Sequence, residues 1–256
     1  MNVFDTHAHL NDKAYDQDRD EMIQRARQAG VNLIVNIGFD LTSSRESIDL
    51  AEKYDFIYAT VGIHPHDAAG AEPGYLEELA EMAQHPKVVA IGEIGLDYYR
   101  DLSPRPVQRQ VFLDQMALAK KLGKPIVIHD RDAHGEMMEI LRKEKLGPVG
   151  GVMHCYSGSW EMAKELLVMD FYLSIAGPVT FPNARILKEV AAKTPADRLL
   201  IETDSPYLTP IPYRGKRNEP AHILHTAAEI AKVRGMKKEA LTQMCAENGR
   251  RLFQIP

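Results

Sequence analysis

A regular alternation of short apolar runs and amphipathic stretches continues along the whole chain of 256 residues and constrains its fold more than any other feature. The apolar runs are rich in Val, Ile, Leu and Ala in nearly continuous order, which is typical of parallel strands covered on both faces. Eight strands are predicted, at Asn2–Asp5, Asn32–Ile37, Ile57–Gly62, Val88–Glu93, Pro125–His129, Gly151–His154, Phe171–Ser174 and Leu199–Glu202.

The stretches between these runs show helical periodicity, and Gly30 and Gly123 are typical of helix ends. Helices are predicted at Ala14–Ala29, Ser43–Tyr54, Gly74–Gln84, Pro106–Leu122, Ala133–Lys145, Trp160–Met169, Asn183–Ala192, Ala221–Arg234 and Lys237–Phe253. We find no internal repeat, low-complexity tract or linker, so we expect one domain over residues 1–256. Eight successive βα units in a chain of this length predict an α/β fold, a single (β/α)8 or TIM barrel.

The composition is that of an ordinary globular domain, with 45% hydrophobic and 26% charged residues. A net charge of -5 gives no global signature of a nucleic-acid binder, although metal ions can supply positive potential locally. The two cysteines, Cys155 and Cys245, lie far apart in the sequence and fit a reducing compartment better than a disulfide scaffold. No signal-peptide pattern and no membrane-spanning apolar stretch is found, and no obligate protein partner is evident. The sequence therefore predicts a cytoplasmic protein that makes no membrane contact.

Histidines and acidic residues recur at the downstream ends of the predicted strands. In a parallel barrel these ends open onto one face, where residues far apart in the chain can meet. Any one of the histidines alone could as readily be a solvent-facing or core residue. Their recurrence instead predicts a two-metal hydrolase site at the carboxyl ends of the strands. The predicted metal ligands are His7, His9, Glu93, His129, His154 and Asp204.

Glu93 is predicted to bridge the two metal ions, because an anionic ligand is needed to hold two cations close together. Related barrels can use a carbamylated lysine at the end of a middle strand, but Lys87 lies at the beginning of this strand. A structural acid paired with an arginine is the alternative interpretation of Glu93.

Two further acids are predicted to support the ligands. Glu202 and Asp204 are separated by one residue and point the same way along a strand. Asp204 is assigned to the metal because it lies nearer the mouth, and Glu202 is interpreted as a deeper acid that orients a histidine. Asp5 faces inward and is expected to support the site or to form hydrogen bonds in the core.

His64 is expected to donate a hydrogen bond to an anionic substrate oxygen, in preference to acting as a seventh ligand. Pro65 follows it and fixes an extended backbone. His66 is interpreted as loop surface and His85 as a solvated helix cap. No chemistry is assigned to His134, His222 and His225.

Seven short blocks resemble the TatD family of metal-dependent deoxyribonucleases, and the resemblance runs from residue 4 to about residue 253. It implies a TIM barrel of the amidohydrolase type, two divalent metal ions and hydrolysis of DNA phosphodiesters. It also implies that His7, His9 and Asp204 hold one metal and that His129 and His154 hold the other. Glu93 would lie between them, and His64 would contact the substrate phosphate. The blocks are Phe4–His9, Gly62–Pro65, Gly92–Asp97, His129–Ala133, His154–Gly158, Glu202–Pro206 and Asn218–Pro220.

The expected reaction is hydrolysis of DNA from its 3′ end, with Asp204, Glu93 and His64 as catalytic residues and two ions of Mg²⁺, Mn²⁺ or Zn²⁺. Asp204 would accept the proton of the attacking water. Arg131 and Tyr156 are predicted to bind substrate, and Tyr98 and Tyr99 could also stack bases, unless these rings only pack at the rim. The basic residues Arg214, Lys216 and Arg217 offer further positive charge or form a solvated loop. Amide or ester hydrolysis of a small molecule and non-catalytic metal binding are the alternative functions.

Overall fold

The computed structural model describes residues 2–256, without the side chain of residue 148, and it forms a nearly closed barrel of eight parallel strands. The strands pair in sequence order, and the carbonyls of His7 and Ser205 accept hydrogen bonds that join the first strand to the segment after the last. This arrangement confirms the predicted TIM barrel. The strands are β1 (Val3–Ala8), β2 (Val31–Asn36), β3 (Ile57–Val61), β4 (Val88–Asp97), β5 (Ile126–Arg131), β6 (Gly151–Met153), β7 (Phe171–Ile175) and β8 (Leu199–Ile201).

The helices follow the predicted pattern, with one main difference at the start. The predicted helix Ala14–Ala29 begins only at Arg19, because the Asp12 side chain accepts a hydrogen bond from the Ala14 amide and caps a 3-10 turn there. None of the described helices combines the length and hydropathy needed to cross a membrane. The α-helices are α1 (Arg19–Gln28), α2 (Leu41–Lys53), α3 (Tyr75–Met82), α4 (Arg105–Leu122), α5 (His134–Glu144), α6 (Trp160–Val168), α7 (Arg185–Lys193), α8 (Ile223–Arg234) and α9 (Lys238–Phe253).

The strands bury side chains on both of their faces, so the polar chemistry is confined to one end of the barrel. Alternate strand residues such as Phe4, Val35 and Val127 form one apolar cluster, which includes Phe253 of α9. The rings of Phe4 and Phe253 lie 6.0 Å apart and contribute to closing the end where the strands begin. The carboxyl ends of the strands carry the buried histidines and acids.

Candidate metal centre

The six predicted ligands converge at the carboxyl ends of the strands. His7 is fully buried, and Glu93 is 3% exposed. His7 lies on β1, Glu93 on β4 and His129 on β5. His9 directly follows β1, His154 directly follows β6, and Asp204 lies three residues after the end of β8. Lys87 lies at the opposite end of the barrel, where its amine donates hydrogen bonds to the carbonyls of Asp55 and Ile57.

Glu93 lies at the middle of the cluster, with its two carboxylate oxygens facing different histidines. Oε1 is 2.8 Å from His129 Nδ1 and 2.8 Å from His154 Nε2. Oε2 is 3.4 Å from His7 Nε2 and 3.8 Å from His9 Nε2. One carboxylate thus faces two imidazole pairs, which meet where the His7 and His154 rings stack with centroids 3.9 Å apart. Among the described residues, no arginine lies within salt-bridge distance of Glu93.

The first imidazole pair, with its acid, will be called the Asp204 side. His7 Nε2 and His9 Nε2 are 3.3 Å apart, and Asp204 Oδ1 is 3.6 Å and 3.3 Å from them. Asp204 holds a left-handed backbone with φ of 52°, which aspartate adopts more readily than most residues. The Nδ1 atoms of both histidines are buried without a hydrogen-bond partner among residues 2–256.

The second pair, His129 and His154, will be called the His129 side, and buried carboxylates hold it. His129 Nε2 is 2.9 Å from Asp97 Oδ2, and His154 Nδ1 is 3.3 Å from Glu202 Oε1. Glu202 therefore lies where the sequence predicts an acid that orients a histidine. Its charge and that of Glu93 raise the pKa of His154 well above the ordinary value, although burial opposes the shift.

Asp97 is the functional residue that the sequence analysis missed. It is fully buried at the end of β4, which is ten residues long and passes well beyond Glu93. Its Oδ1 accepts hydrogen bonds from the amides of Tyr99 and Arg100, which leaves Oδ2 to face His129. The even spacing between Glu93 and Asp97 was a usable signal, because both side chains could face the barrel interior.

His66 is not the loop-surface residue that the sequence suggested. Its Nε2 is 2.8 Å from Asp97 Oδ2, and its ring centroid is 4.3 Å from that of His64. The short 3-10 helix that starts at Pro65 turns this ring back toward the centre instead of into solvent. His66 and His129 therefore share one carboxylate oxygen.

His64 lies close enough to the centre to act as a ligand or to contact substrate. Its Nε2 is 3.6 Å from Glu93 Oε1, and the side chain is almost fully buried. Its Nδ1 accepts a hydrogen bond of 3.1 Å from the His66 amide. Burial and the nearby His129 lower the pKa of His64 well below its ordinary value, so the ring is neutral.

Asp5 supports the backbone beside the ligands. Its carboxyl oxygens accept hydrogen bonds from the amide and the hydroxyl of Thr203, at 2.9 Å and 2.5 Å. Burial raises the pKa of Asp5 to about 8. Of the two roles expected for Asp5, the structure shows hydrogen bonding in the core.

The two ligand carboxylates remain ionised despite their burial. Burial acts to raise the pKa of Glu93, but the surrounding imidazoles, led by His154 and His7, hold that pKa well below its ordinary value. Burial also acts to raise the pKa of Asp204, but the hydrogen bond to His9 and the nearby imidazoles hold that pKa below its ordinary value. The cluster therefore offers anions among imidazoles in a nearly dry site, where electrostatic attraction to a cation is strong.

These residues fit divalent metal ions. Three groups of potential ligand atoms each lie within 4.8 Å of one another, and one of them spans the two sides. They come from His7, His9 and Asp204, from His64, Glu93 and His129, and from His7, His154 and Glu202. Within each side, one nitrogen of each imidazole faces a nitrogen of the other imidazole at 3.3 Å. The Nδ1 atoms of His7 and His9 have no hydrogen-bond partner among the described residues. Imidazole and carboxylate together suit Zn²⁺ or Mn²⁺, and carboxylate alone suits Mg²⁺.

The predicted substrate-binding residues differ in how they are placed. Arg131 is exposed at the end of β5, with its guanidinium 4.1 Å from the centroid of the exposed Tyr99 ring. Tyr156 is only 3% exposed and its hydroxyl donates to the Ser159 carbonyl, so it offers no open ring face to a base and its substrate role is withdrawn. The Tyr98 ring is covered by the Arg105 guanidinium at 4.3 Å.

The basic loop after β8 is only partly available for substrate. The Arg217 guanidinium donates hydrogen bonds to both carboxylate oxygens of Asp18, at 2.6 Å and 2.7 Å. The Arg214 guanidinium lies 4.4 Å from the centroid of the Phe181 ring. Arg214 and Arg217 therefore already contact other residues of this protein, and are less available to bind substrate than the sequence suggested.

Comparison with known proteins identifies the class and then the family. A Bacillus subtilis protein named as the uncharacterized metal-dependent hydrolase YabD is 50% identical over 253 residues, which cover 99% of each chain. Together with the ligand groups, this similarity defines the protein as a metal-dependent hydrolase on a (β/α)8 barrel. Residues 4–254 match the family model of TatD related DNases. The chain belongs to this family.

Two further relatives agree with this assignment. A Klebsiella pneumoniae protein named 3′-5′ ssDNA/RNA exonuclease TatD is 36% identical over 258 residues, covering 99% of this chain and 98% of the relative. The crystal structure of YjjV, a TatD homologue from Escherichia coli, superposes with a TM-score of 0.93 at 31% identity, covering 99% of this chain and 98% of the other.

Proposed function

We propose that this hydrolase removes nucleotides from the 3′ end of single-stranded nucleic acid, DNA above all, with two divalent metal ions. The observation that carries this proposal is the position of Glu93, whose Oε2 faces His7 and His9 and whose Oε1 faces His129 and His154. A carboxylate placed in this way suits a pair of cations, and paired cations suit phosphodiester hydrolysis. The name of the 36% identical relative supports the substrate class. The two unpaired cysteines are consistent with action in the cytoplasm.

The ligand set divides around Glu93. The Asp204 side would hold one ion through its two imidazoles and its carboxylate, and the His129 side would hold the other. Bound Mg²⁺, Mn²⁺ or Zn²⁺ would supply Lewis-acid chemistry, which places positive charge on the phosphate and acidifies water. On the His129 side, Asp97 and Glu202 would keep the distal ring nitrogens protonated and turn the other nitrogens toward Glu93.

Asp204 is the group that would accept the proton of the attacking water. Its pKa is lowered by the hydrogen bond to His9, against the effect of burial, so it is ionised at neutral pH. Its side chain keeps 13% of its surface exposed, whereas that of Glu93 keeps 4%. Asp204 is thus the carboxylate of the pair that is more open to the mouth, as a general base must be.

His64 would donate a hydrogen bond to the substrate phosphate. Because its Nδ1 accepts the His66 amide, the proton of the neutral ring sits on Nε2, which faces the centre. A protonated Nε2 has no lone pair for a metal but can donate to an anionic oxygen. The backbone of His66 thus favours substrate binding over a seventh ligand.

Arg131 would supply positive charge to the strand outside the centre. Its stacking on Tyr99 fixes the guanidinium while leaving it exposed at the rim. An exposed, fixed cation can bind a phosphate of the substrate backbone with little loss of side-chain entropy.

The test is to incubate the protein with Mg²⁺, Mn²⁺ or Zn²⁺ and 5′-labelled single-stranded DNA or RNA. We expect a ladder that shortens one nucleotide at a time from the 3′ end. A 3′-phosphorothioate strand serves as the matched control and should resist the first cleavage. If no strand shortens while a small amide or ester turns over, the amide or ester alternative is correct. If nothing turns over while metal binds stoichiometrically, the protein only binds metal.

A further inference from the structure

Tyr207 is an exposed aromatic residue beside the candidate metal centre, and it has no role in the proposed hydrolysis. Its ring is 53% exposed, and its centroid lies 5.9 Å from that of the predicted ligand His9. It follows Asp204 by three residues, so the same loop carries a predicted ligand and this ring.

Two hydrogen bonds hold the backbone of Tyr207, and a third holds the hydroxyl of its exposed ring. The Tyr207 amide donates to the Asp204 carbonyl at 2.9 Å, and the Tyr207 carbonyl accepts from Asn218 Nδ2 at 2.6 Å. The Tyr207 hydroxyl donates to Asp12 Oδ2 at 2.7 Å, and Asp12 is itself held by the Ala14 amide. An exposed ring that cannot move loses little entropy when a second ring stacks on it.

Asn218 also connects the backbone of Tyr207 to that of the residue before Asp204. Asn218 is fully buried, and its Nδ2 donates both to the Thr203 carbonyl and to the Tyr207 carbonyl. One side-chain amide therefore holds the backbone on both sides of Asp204, at Thr203 and at Tyr207.

We propose that Tyr207 stacks on the base of the 3′-terminal nucleotide, a proposal that rests on the proposed nuclease function and names a binding subsite for it. Every base has a flat π-face, so such a subsite accepts all bases without reading their hydrogen-bonding edges. Tyr99 is less suited to this role, because the Arg131 guanidinium lies over its ring at 4.1 Å.

The charges around the mouth indicate that the strand ends at Tyr207. Beyond Asp12 lies a cavity of about 630 Å³ that is lined by four carboxylates and only three cationic side chains. A polyanionic strand is not attracted into such a space. The rim cation Arg131 is the last residue of β5, which is diametrically opposite β1 in the ring of eight strands. The strand would therefore enter over Arg131 and place its last base on Tyr207.

The test uses metal-loaded protein and 5′-labelled single strands that end either in a normal nucleotide or in an abasic tetrahydrofuran residue. Stacking of one base on an aromatic ring contributes about 1–3 kcal/mol, which corresponds to about 5- to 150-fold in binding. Tyr207→Leu should lower kcat/KM for the first cleavage of the normal strand by that factor, mostly through KM. It should change the abasic strand by less than about twofold, since no base is present to stack. Tyr207→Phe, which keeps the ring but loses the hydrogen bond to Asp12, should lower kcat/KM for the normal strand less than Tyr207→Leu does.

Two further measurements separate stacking from a structural effect of the loop. A strand ending in 2-aminopurine should lose fluorescence on stopped-flow mixing before cleavage with the unchanged protein and with Tyr207→Phe, but not with Tyr207→Leu. Tyr58→Leu removes a half-buried ring at the opposite end of the barrel and should leave the ratio of the two strands unchanged.

The possible outcomes separate the two proposals. If the unchanged protein cleaves both strands equally well, or if Tyr207→Leu slows both equally, the stacking subsite is wrong and the nuclease function stands. If the unchanged protein cleaves neither strand, the nuclease function fails and the subsite fails with it.

Discussion

The Asp204 side and the His129 side of the metal centre offer similar ligands, but the protein holds them in different ways. On the His129 side, each imidazole turns its distal nitrogen to a buried carboxylate, Asp97 or Glu202. On the Asp204 side, the distal nitrogens of His7 and His9 have no hydrogen-bond partner within residues 2–256.

This difference predicts that one side binds its metal ion more tightly and that the other side supplies the proton acceptor. A carboxylate behind a ligand histidine fixes its ring and raises its basicity, and its loss typically costs about 10- to 100-fold in metal affinity. We therefore expect the His129 side to bind its ion more tightly. The Asp204 side has the more exposed carboxylate of the two, which suits the proposed role of Asp204 as a proton acceptor.

Replacement of Glu93 should have the largest effect, because it removes the anion that both sides share. Glu93→Gln keeps the size of the side chain and removes its charge. We expect turnover to fall on the order of 10³-fold, with loss of bound metal on both sides. Turnover and elemental analysis of the same sample check this, and unchanged circular dichroism shows that the barrel is folded. Retained metal on one side would mean that the two sides do not depend on a common bridge.

Replacement of His64 tests whether the His129 side has two imidazole ligands or three. Loss of a hydrogen bond to an anionic oxygen corresponds to about 1.5–3 kcal/mol, or roughly 10- to 150-fold. His64→Ala should lower kcat/KM for a phosphodiester by that factor and leave the metal content unchanged. Replacement of the half-buried His134, which is paired with Asp130, in the same way is the control. A missing ion on the His129 side would make His64 a ligand.

Removal of the supporting carboxylates should weaken the His129 side alone. Asp97→Asn and Glu202→Gln remove the charge behind one imidazole each, so we expect about 10- to 100-fold weaker metal binding there. Chelator competition measures the affinity, and anomalous scattering from crystals shows which side has lost its ion. Asp101→Asn changes an exposed carboxylate near Asp97 and serves as the control. Equal losses on both sides would contradict the comparison.

Asp5 is the buried acid on the Asp204 side that binds Thr203 instead of an imidazole, and its replacement tests the pH dependence of stability. Burial raises its pKa to about 8, so the folded protein holds a proton there that the unfolded chain releases near pH 4. Stability from this group is therefore complete below about pH 4 and is lost as the pH rises toward 8.

Asp5→Asn should remove this dependence on pH. Between pH 5 and pH 7 the unchanged protein should lose up to about 1.4 kcal/mol of unfolding free energy per pH unit relative to Asp5→Asn. Urea denaturation of both proteins in chelator at several pH values measures the difference. Parallel pH profiles for the two proteins would show that Asp5 does not titrate in this range.

Much of the site could be predicted because its residues sit on regular elements. His7 and His9 point the same way by the period of a strand, and His129 ends an apolar run that forms β5. The contacts of Asp97 and His66 could not be predicted. They depend on how far β4 extends and on a short 3-10 helix that turns one ring inward. The burial of Tyr156 could not be predicted for a related reason, since nearness to a motif in sequence does not decide whether a ring is buried.

The sequence by itself determined the βα alternation, the barrel and the set of side chains at its mouth, because apolar periodicity and strand direction are local properties. Only the tertiary structure decided which carboxylate backs which imidazole, that one oxygen of Glu93 faces each side, and that Asn218 holds Tyr207 in place. These are contacts between residues distant in the chain. Their geometry depends on packing that no local pattern records.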